Sequence, residues 1–510
     1  MVGQLLQPAR LVANQIAAQL ISLPNIMMRR IPPFLKILPF VVVGILLGGR
    51  ITVAPLWLVV AAAGLTLCAL LLRRKWVGEC YIAAAIIVWA AAITILRTPH
   101  TIEKPSAPSE YHLTITTTPS TLGRWQRCEA KLRGSGEKIL LRADTLVAIS
   151  LGERGEAWGY LNPLPEGSYG SLMARRGFLG TLYITSPTDW RPTGEAHTLE
   201  ITARRVQHNL ASRIDSLHLG ADESAVVKAM LLGERGEISP TLRQSYSRTG
   251  TSHLLAISGL HAGIVAMVVW WLCWLLPLVG RRGHIVRNIV AMVVMVLYAF
   301  VTGLSPSVVR ATVMFVVAQM ALSYGSRATS HNLLAAAVAM MLLVNPNNLY
   351  DVSFQLSVVA VAGIAIGYDP AMKVIGDTSR RWLRWLWSVV VIGLCSTLAT
   401  LPIVAHTFGV VSIVGLVLNP VVIVSSQIIV MCGLIWVTLP WGFWEPLARA
   451  LIGGAAGLQN LVVEHTATLP WVAVESTIPR RIVLLTYGAM VILVILAATN
   501  KKKREWKVEN

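Results

Sequence analysis

The segment Thr249–Trp271, TGTSHLLAISGLHAGIVAMVVWW, places three chemically capable side chains at the head of an apolar run: His253, Ser258 and His261. A serine and a histidine three residues apart on a helix can reach each other, so Ser258 and His261 have the spacing of a nucleophilic dyad. The same groups can instead line a polar path or brace neighbouring helices, because hydrocarbon offers polar atoms no hydrogen-bond partner. The segment therefore predicts either a reactive centre or a polar route.

Later apolar runs also carry polar side chains. Arg310 stands a few residues into SPSVVRATVMFVV, and an arginine at the bilayer centre costs about 2.5–3.5 kcal/mol on insertion scales. Such groups usually face a bundle interior or a water-filled path, unless they snorkel to the interface. In the opening segment, Gly259 and Gly263 have GxxxG spacing, which predicts close helix packing. The residues predicted to line a channel or brace its helices are His253, Ser258, His261, Arg310, Asp351, Gln355 and His406.

The run DVSFQLSVVAVAGI shows how such groups are arranged along one helix. Asp351 and Gln355 are four residues apart, and Ser353 and Ser357 repeat that spacing. Side chains four residues apart are neighbours on a helix, so the two pairs are predicted to lie on adjacent faces.

The elements that must hold these residues are membrane helices. Hydrophobic residues make up 55% of the 510 residues and charged residues 14%, with a mean hydropathy of +0.62. A soluble protein carries about a quarter charged residues, so the composition indicates an integral membrane protein. Much of the net charge of +19 lies in short basic clusters beside apolar runs. Such clusters are more typical of cytoplasmic anchors than of a nucleic-acid surface.

Eleven apolar runs follow one another along the chain. They lie at 37–50, 54–72, 78–96, 253–279, 288–303, 308–324, 332–344, 352–368, 385–407, 413–439 and 482–499. If each run crossed the membrane once, the basic C-terminal tail would lie outside the cytoplasm, against the preference of basic residues for the cytoplasmic side. Either residues 449–469 therefore cross the membrane as well, or one run is re-entrant, with a break at Asn419-Pro420. The pattern predicts about 11–12 spans and a cytoplasmic N-terminus.

Residues 101–205 differ from the rest of the chain. In RCEAKLRG, Cys128, Ala130 and Leu132 alternate with charged side chains, and GSG at 134–136 is a turn signal. Period-two alternation predicts the strands of a small β-barrel or sandwich. The segment carries 13 Lys and Arg against 11 Asp and Glu, so its charge alone does not predict nucleic-acid binding. The three apolar runs before it, with their basic flanks, predict that it lies outside the cytoplasm.

Two segments are predicted to lie along the membrane surface. Residues 1–36 are amphipathic and basic and predict a helix kept in the mature protein. Residues 206–252 are predicted to be helical and interfacial, with Ser239 as an N-cap and Pro240 at the first helical position. The six cysteines include no CxxC pair, so neither a disulfide framework nor a cysteine metal site is predicted.

Several motifs, in the same order, resemble those of the ComEC family of competence membrane proteins. TGTSHLLAISGLHAG is similar to the family's signature, and KAMLLGERGEISPTLRQSYSRTG to the segment before it. SPSVVRATVM is similar to the family's arginine segment and NPNNLYDVSFQLSVVAVAGI to its FQLS segment. LPIVAHTFGVVSIVGLVLNP is similar to a later stretch, and the resemblance extends over roughly 40–500.

The resemblance implies a channel that carries single-stranded DNA across the cytoplasmic membrane during natural transformation. It also implies an extracytoplasmic OB-like domain, whose last part GSYGSLMARRGFLGTLYI resembles. OB folds bind single strands by stacking bases on aromatic side chains, and the candidates here are Trp125, Trp158, Tyr160 and Tyr169. The implied partners are single-stranded DNA, the lipid bilayer, a DNA-receptor protein outside, a cytoplasmic helicase or translocase, and a separate nuclease.

The expected fold class is a polytopic α-helical membrane protein with an inserted small extracytoplasmic β-barrel that is OB-like. The expected parts are an amphipathic basic segment at 1–36, three transmembrane helices over 37–100, the β domain over 101–205, an interfacial helical segment over 206–252, a competence-type channel domain over 253–500 and a basic cytoplasmic tail over 501–510.

The chain departs from the family pattern at its C-terminal end. Many members continue into a metallo-β-lactamase-like domain, whereas this chain ends at Asn510, and its 11 histidines include no HxHxDH cluster. We therefore expect no catalytic residues, no metal and no cofactor, and we expect any nuclease to be a separate protein.

Two other functions fit the polar residues. A secondary transporter of a small solute also uses broken helices and midplane polar groups, although no inverted repeat is apparent and an extracytoplasmic β domain is unusual in that class. An intramembrane serine protease would use Ser258 and His261, although Ala256 stands where a rhomboid-like GxSG motif has glycine. The residues alone support a polytopic membrane protein with a polar path.

Overall fold

A computed structural model of the chain describes residues 32–51, 54–71, 75–97, 101–102, 105–255, 257, 259–274, 280–323, 329–375, 380–412, 414–439, 442–476 and 478–493. The chain divides into two compact units. One is formed by Met1–Arg97 with Gly325–Pro346, and the other by Thr98–Tyr324 with Asn347–Asn510.

Helices make up most of the described chain. They are α1 Pro33–Gly48, α2 Pro55–Leu71, α3 Lys75–Leu96, α4 Ser168–Arg175, α5 Leu199–Asp215, α6 Ala221–Leu232, α7 Pro240–Arg248, α8 Gly259–Trp274, α9 Gly280–Val301, α10 Pro306–Ser323, α11 Ser330–Val344, α12 Val352–Met372, α13 Arg381–Phe408, α14 Gly415–Thr438 and α15 Glu445–Ala467. The strands are β1 Ser109–Ile115, β2 Ser120–Leu122, β3 Trp125–Leu132, β4 Lys138–Asp144, β5 Glu153–Gly159, β6 Leu161–Asn162, β7 Phe178–Ile184, β8 Trp190–Glu195, β9 Val410–Ser412 and β10 Ala473–Glu475.

In the described part of the chain, six helices are long and apolar enough to cross a membrane. Their apolar segments are Val77–Leu96, Gly283–Val301, Pro306–Ser323, Val352–Ile375, Arg381–Phe408 and Val421–Thr438. Three further apolar helices, α1, α2 and α11, are shorter, with 16, 17 and 15 residues. The protein is therefore a polytopic α-helical membrane protein, as its composition predicts, while the total of 11–12 spans stays a prediction.

Two helix features predicted from the sequence have different outcomes. The N-cap of α7 is confirmed, because Ser239 Oγ accepts a hydrogen bond from Leu242 N at 3.3 Å. The predicted break at Asn419-Pro420 is wrong, because α14 is continuous through both positions. Prolines are tolerated in membrane helices where neighbouring groups and local adjustments satisfy the freed carbonyl.

In the first unit, α1 packs closely on α3 because glycines line the contact. A Cβ added to Gly48 would lie 2.7 Å from Ala91 O, and one on Gly44 would also meet the backbone of α3. α11 packs on α1 as well, and Asn332 Oδ1 accepts a hydrogen bond from Phe34 N at 2.9 Å. Small residues thus allow these short helices to approach.

In the second unit, β1 to β8 form one sheet that closes into a barrel. The pairing order is β6-β7-β4-β3-β1-β5-β8, with β2 beside β3, and β4 pairs with β7 in parallel. Only Tyr160 separates β5, which pairs with β1, from β6, which pairs with β7. The chain through β5 and β6 therefore closes the ring of β1, β3, β4 and β7, and β8 pairs with β5 at the end of the order. The predicted alternation is confirmed, because Cys128 and Ala130 are buried while Arg127 is exposed.

The barrel has an aliphatic core. Its fully buried members include Leu113, Ile115, Ala130, Ile139, Leu141, Leu182 and Ile184. Cys128 belongs to this core, and burial, together with the neighbouring Glu129 carboxylate, raises the pKa of its thiol to about 12. The thiol therefore stays protonated and inert near neutral pH.

The helix α6 lies inside the helical part of the second unit. Its residues Ser224–Leu232 are all buried, and it packs against α14 and α15. Its buried Lys228 Nζ forms ion pairs with Asp215 and Glu237, each at 2.7 Å. Residues 206–252 contain the end of α5, α6 and α7, while their position at the membrane interface stays a prediction. Residues 224–232 of α6 are enclosed by protein because, apart from Ser224 and the ion-paired Lys228, they are apolar.

Candidate functional site

Polar side chains meet where α10 and α12 begin. Arg310 is 8% exposed, and its Nη2 donates a hydrogen bond to Ser353 Oγ at 2.8 Å. Its Nε is buried without a hydrogen-bond partner among the described residues. The structure therefore holds a buried guanidinium between two helices that are apolar enough to span a membrane, rather than a snorkelling side chain.

Asp351 connects this pair to the barrel. It is the N-cap of α12, and its Oδ1 accepts a hydrogen bond from Ser353 N at 2.8 Å. Its Oδ2 lies 3.4 Å from Nη2 of Arg176, which follows α4 of the barrel. The guanidinium carbon of Arg175 lies 4.2 Å from the ring centroid of Tyr350. The barrel and the start of α12 thus meet through an ion pair and a cation–π contact.

Of the two pairs predicted on α12, the pair of Asp351 and Gln355 does not form, while Ser353 and Ser357 both lie on the helix. Asp351 precedes the helix, and Gln355 Nε2 turns back to donate to Leu349 O at 2.8 Å. Aspartate is among the most favoured N-cap residues, because its carboxylate satisfies a backbone N–H that the helix leaves without a partner. That preference places Asp351 at the helix end.

A second polar group lies between α7, α14 and α15. Tyr246 OH donates to Asn460 Oδ1 at 2.8 Å and accepts from Gln459 Nε2 at 2.9 Å. Gln459 Oε1 also accepts from Ser425 Oγ at 2.9 Å. All four side chains are buried, so each depends on the others for its hydrogen bonds.

We expect Tyr246→Phe to lower the free energy of unfolding by about 1–3 kcal/mol, because it leaves buried amide groups without their partner. The measurement is unfolding of the purified protein by sodium dodecyl sulfate in mixed micelles. Tyr169→Phe, at an exposed position, is the matched control and should leave the curve unchanged. Equal curves for Tyr246→Phe and the wild type would show that this group does not stabilise the fold.

The segment TGTSH forms a tight turn against the loop between α13 and α14. Gly250 has φ +74°, and a Cβ on it would lie 2.8 Å from Ser412 Cβ. The flanking Thr249 and Thr251 are completely buried and share a hydrogen bond between their hydroxyls at 2.9 Å. The small and hydroxyl residues of the segment therefore form a tight turn, buried at Thr249 and Thr251, a few residues before α8.

The two histidines of the opening segment have different surroundings. His253 is exposed, and its Nδ1 lies 3.2 Å from Gly250 O. His261 is completely buried on α8. Ser258 lies outside the described residues, so the predicted dyad remains a prediction.

The other residues predicted for the membrane part have separate contacts. His406 is exposed near the end of α13, and its Nδ1 lies 2.8 Å from Ile478 O. A Cβ on Gly259 or Gly263 would meet no atom within 4 Å. The described residues thus give no close helix contact at these glycines, and the close approach occurs at Gly250 instead. No three His, Cys, Asp or Glu side chains in the described ranges are grouped so that they could hold a metal.

The predicted stacking aromatics of the barrel divide into two kinds. Three are exposed, namely Trp158, Tyr160 and Tyr169. Trp125 is half-buried and meets Tyr183 edge-on, with 5.7 Å between ring centroids. Arg142 lies over the same Tyr183 ring at 5.5 Å, and its strand neighbour on the other side is Arg127. This face of β3, β4 and β7 therefore carries the rings of Trp125 and Tyr183 and the guanidinium groups of Arg127 and Arg142, together with the carboxylates of Glu129 and Asp144.

The sequence patterns missed several residues of these groups. Arg175 and Arg176 lie in a segment that the sequence analysis assigned to the β domain alone. Two adjacent arginines were the only feature of the sequence that could have indicated a binding role for them. Gln459 and Asn460 are polar residues in an amphipathic helix, where they resemble ordinary exposed positions.

Comparison with known proteins identifies the family to which the C-terminal helical region belongs. A family model described as Competence protein matches residues 230–501, which is more than half of the chain. The matched region contains Arg310, Asp351 and the Tyr246 group. No solved structure matches the chain.

Three curated relatives are similar over parts of the chain. ComE operon protein 3 of Bacillus subtilis (strain 168) is 26% identical over 234 residues, covering 46% of this chain and 28% of that protein. Competence protein ComA of Neisseria gonorrhoeae is 27% identical over 217 residues, covering 41% and 31%. The uncharacterized protein YcaI of Escherichia coli (strain K12) is 26% identical over 159 residues, covering 29% and 20%. The matches thus span less than a third of each relative's length.

Proposed function

Because this chain belongs to the competence protein family, we propose that it carries single-stranded DNA across the cytoplasmic membrane during natural transformation. The observation that carries the proposal is Arg310, a buried guanidinium in a helix apolar enough to span a membrane. A positive charge buried in a membrane helix is costly, and such charges usually face a polar route through the protein. A polyanion is a ligand that a positive charge on this route would attract. In this proposal the second strand is removed by a separate nuclease.

Deletion of the gene tests this function. Cells of a competent host should keep surface DNA binding, because that step precedes passage through the membrane, but should lose chromosomal transformation. Expression of the intact gene from another locus should restore it. Normal transformation in the deletion strain would refute the proposal.

The barrel is proposed to receive the strand on the mixed face of β3, β4 and β7. Aromatic rings stack on bases of any sequence, and guanidinium groups contact the backbone between them. Trp125 and Tyr183 supply the rings, and Arg127 and Arg142 supply the charges. The closed strand order and the parallel pairing of β4 with β7 support the OB-like assignment.

The barrel is proposed to lie outside the cytoplasm, with the N-terminus inside. Ser135 is exposed in the turn between β3 and β4, so Ser135→Cys should react with an impermeant thiol reagent in intact cells, or in spheroplasts if there is an outer membrane. Cys68 and Cys80 are exposed and should first be replaced by serine, while buried Cys128 stays unreactive. Labelling only after the cytoplasmic membrane is opened would reverse the proposed orientation.

A further inference from the structure

Three arginines and one aspartate lie at the junction of the barrel with α10 and α12. Arg175 and Arg176 come from the barrel, Arg310 comes from α10, and Asp351 begins α12. We call these four residues the arginine cluster. Since both helices start here, the cluster lies at one end of two helices that are apolar enough to span a membrane.

The cluster has more positive than negative charge. Among the described residues, the ion pair at this junction is the one between Arg176 and Asp351, with N and O 3.4 Å apart. Arg310 is held through the neutral hydroxyl of Ser353, and Arg175 lies over the ring of Tyr350. A guanidinium above a ring keeps the N–H donors in its own plane available to an anion. Two of the three cations thus have no carboxylate within ion-pair distance in the described part of the chain.

We propose that the arginine cluster binds the phosphodiester backbone of a nucleic acid strand, and that Asp351 is an internal carboxylate which a phosphate of the strand displaces from Arg176. The inference rests on the proposed function, because it places the cluster on the route of the strand between barrel and membrane helices. Planar guanidinium forks match the oxygens of a phosphate and can each donate two hydrogen bonds to it.

The contacts of Asp351 suit displacement. Its Oδ2 makes one long contact with Arg176, whose side chain is 45% exposed, so that bond is weak and open to competition. Its Oδ1 caps α12 through Ser353 N at 2.8 Å, which holds the carboxylate in place when Arg176 leaves. A backbone phosphodiester has the same charge of −1 as the carboxylate and two non-bridging oxygens that can accept the same hydrogen bonds.

Removing the negative charge of Asp351 and removing the positive charge of Arg176 should have opposite effects on binding if the cluster binds phosphate. If the ion pair is only a strut, that is, a structural contact between barrel and helices, the two changes should have the same effect. Asp351→Asn keeps the helix cap but removes the competing charge, and Asp351→Ser does the same with a different cap. Arg176→Gln removes a phosphate ligand. The full-length protein in nanodiscs of neutral phospholipid is titrated with a fluorescent oligothymidylate at several salt concentrations. Glu195→Gln and Arg205→Gln, which break an exposed ion pair of 2.7 Å elsewhere in the same unit, are the matched controls.

We expect Asp351→Asn and Asp351→Ser to tighten oligothymidylate binding several-fold. Arg176→Gln should weaken it and lower the slope of log affinity against log salt by about 0.7, the value for one contact to a single-stranded phosphate. Both controls should bind as the wild type does. If Asp351→Asn and Arg176→Gln weaken binding alike, or if neither changes it, the ion pair is a strut and the inference is wrong.

Two further outcomes identify other failures. If the wild type binds no oligothymidylate, the proposed function fails together with the site. If Asp351→Asn instead retains more phosphatidylglycerol in native mass spectrometry, with unchanged oligothymidylate affinity, the cluster binds lipid headgroups and the inference is overturned while the proposed function stands.

Discussion

Arg310→Ala should abolish DNA transport, and Arg310→Lys should reduce it by about tenfold to a hundredfold, with normal insertion and accumulation of both variants. The expected loss corresponds to one charge-assisted hydrogen bond, worth about 1.5–3 kcal/mol. Arg310 is buried, its Nη2 donates to Ser353 Oγ at 2.8 Å, and its Nε is buried without a hydrogen-bond partner among the described residues. A lysine has three donors on a compact ammonium group and lacks the planar five-donor fork, so it cannot reproduce a hydrogen bond to the hydroxyl together with a bidentate contact to a phosphate.

The measurement is transformation frequency in a competent host whose own family member is deleted, with protein level followed by immunoblot. Arg449→Lys is the matched control, because Arg449 makes an exposed ion pair with Glu445 at 2.8 Å and should tolerate the change. Wild-type transport by Arg310→Lys would mean that the residue is only an anchor at the membrane surface, for which any long cationic side chain is sufficient.

Gly250→Ala should lower the free energy of unfolding by about 2–5 kcal/mol, the second largest effect we expect. The residue has φ +74°, a region that costs a side chain about 1–2 kcal/mol, and the new Cβ would lie 2.8 Å from Ser412 Cβ. Relief of that contact would move the loop between α13 and α14, at a cost of about 1–3 kcal/mol typical of overpacking.

Unfolding by sodium dodecyl sulfate in mixed micelles measures this change. Gly263→Ala, on α8 four residues after Gly259, is the control, because a Cβ there meets no atom within 4 Å. That control should be neutral or slightly stabilising, since alanine favours a helix over glycine. A Gly250→Ala protein as stable as the wild type would show that the turn adapts and that its glycine is not required by the fold.

Local patterns predicted much of the fold. The alternation at Cys128 and Ala130 identified a strand with one buried face, and Ser239 marked the start of α7, because both signals depend on neighbours along the chain. Closure of the barrel depends on the pairing of β6 with β7, and strand alternation carries no information on which strands become partners.

Some members of the candidate site were predictable from the sequence, but their contacts were not. Arg310 and Asp351 stood out because charge in an apolar run is rare. The partner of Asp351 is Arg176, which lies 175 residues away in a segment of different composition. A contact over that separation is set by the tertiary fold, and nothing in the spacing of either motif specifies it. The preference of aspartate for N-caps was, however, readable from the sequence.

The depth of α6 has a consequence for how the molecule is made. Tyr246, just after this helix, is bonded to Asn460, which is synthesised 214 residues later. At about 5–20 residues per second, roughly 10 to 40 s pass before that partner leaves the ribosome. α6 must therefore wait beside an unfinished bundle until α14 and α15, which pack against it, have been synthesised. A nascent chain stopped before residue 445 leaves α6 without its contacts to α15.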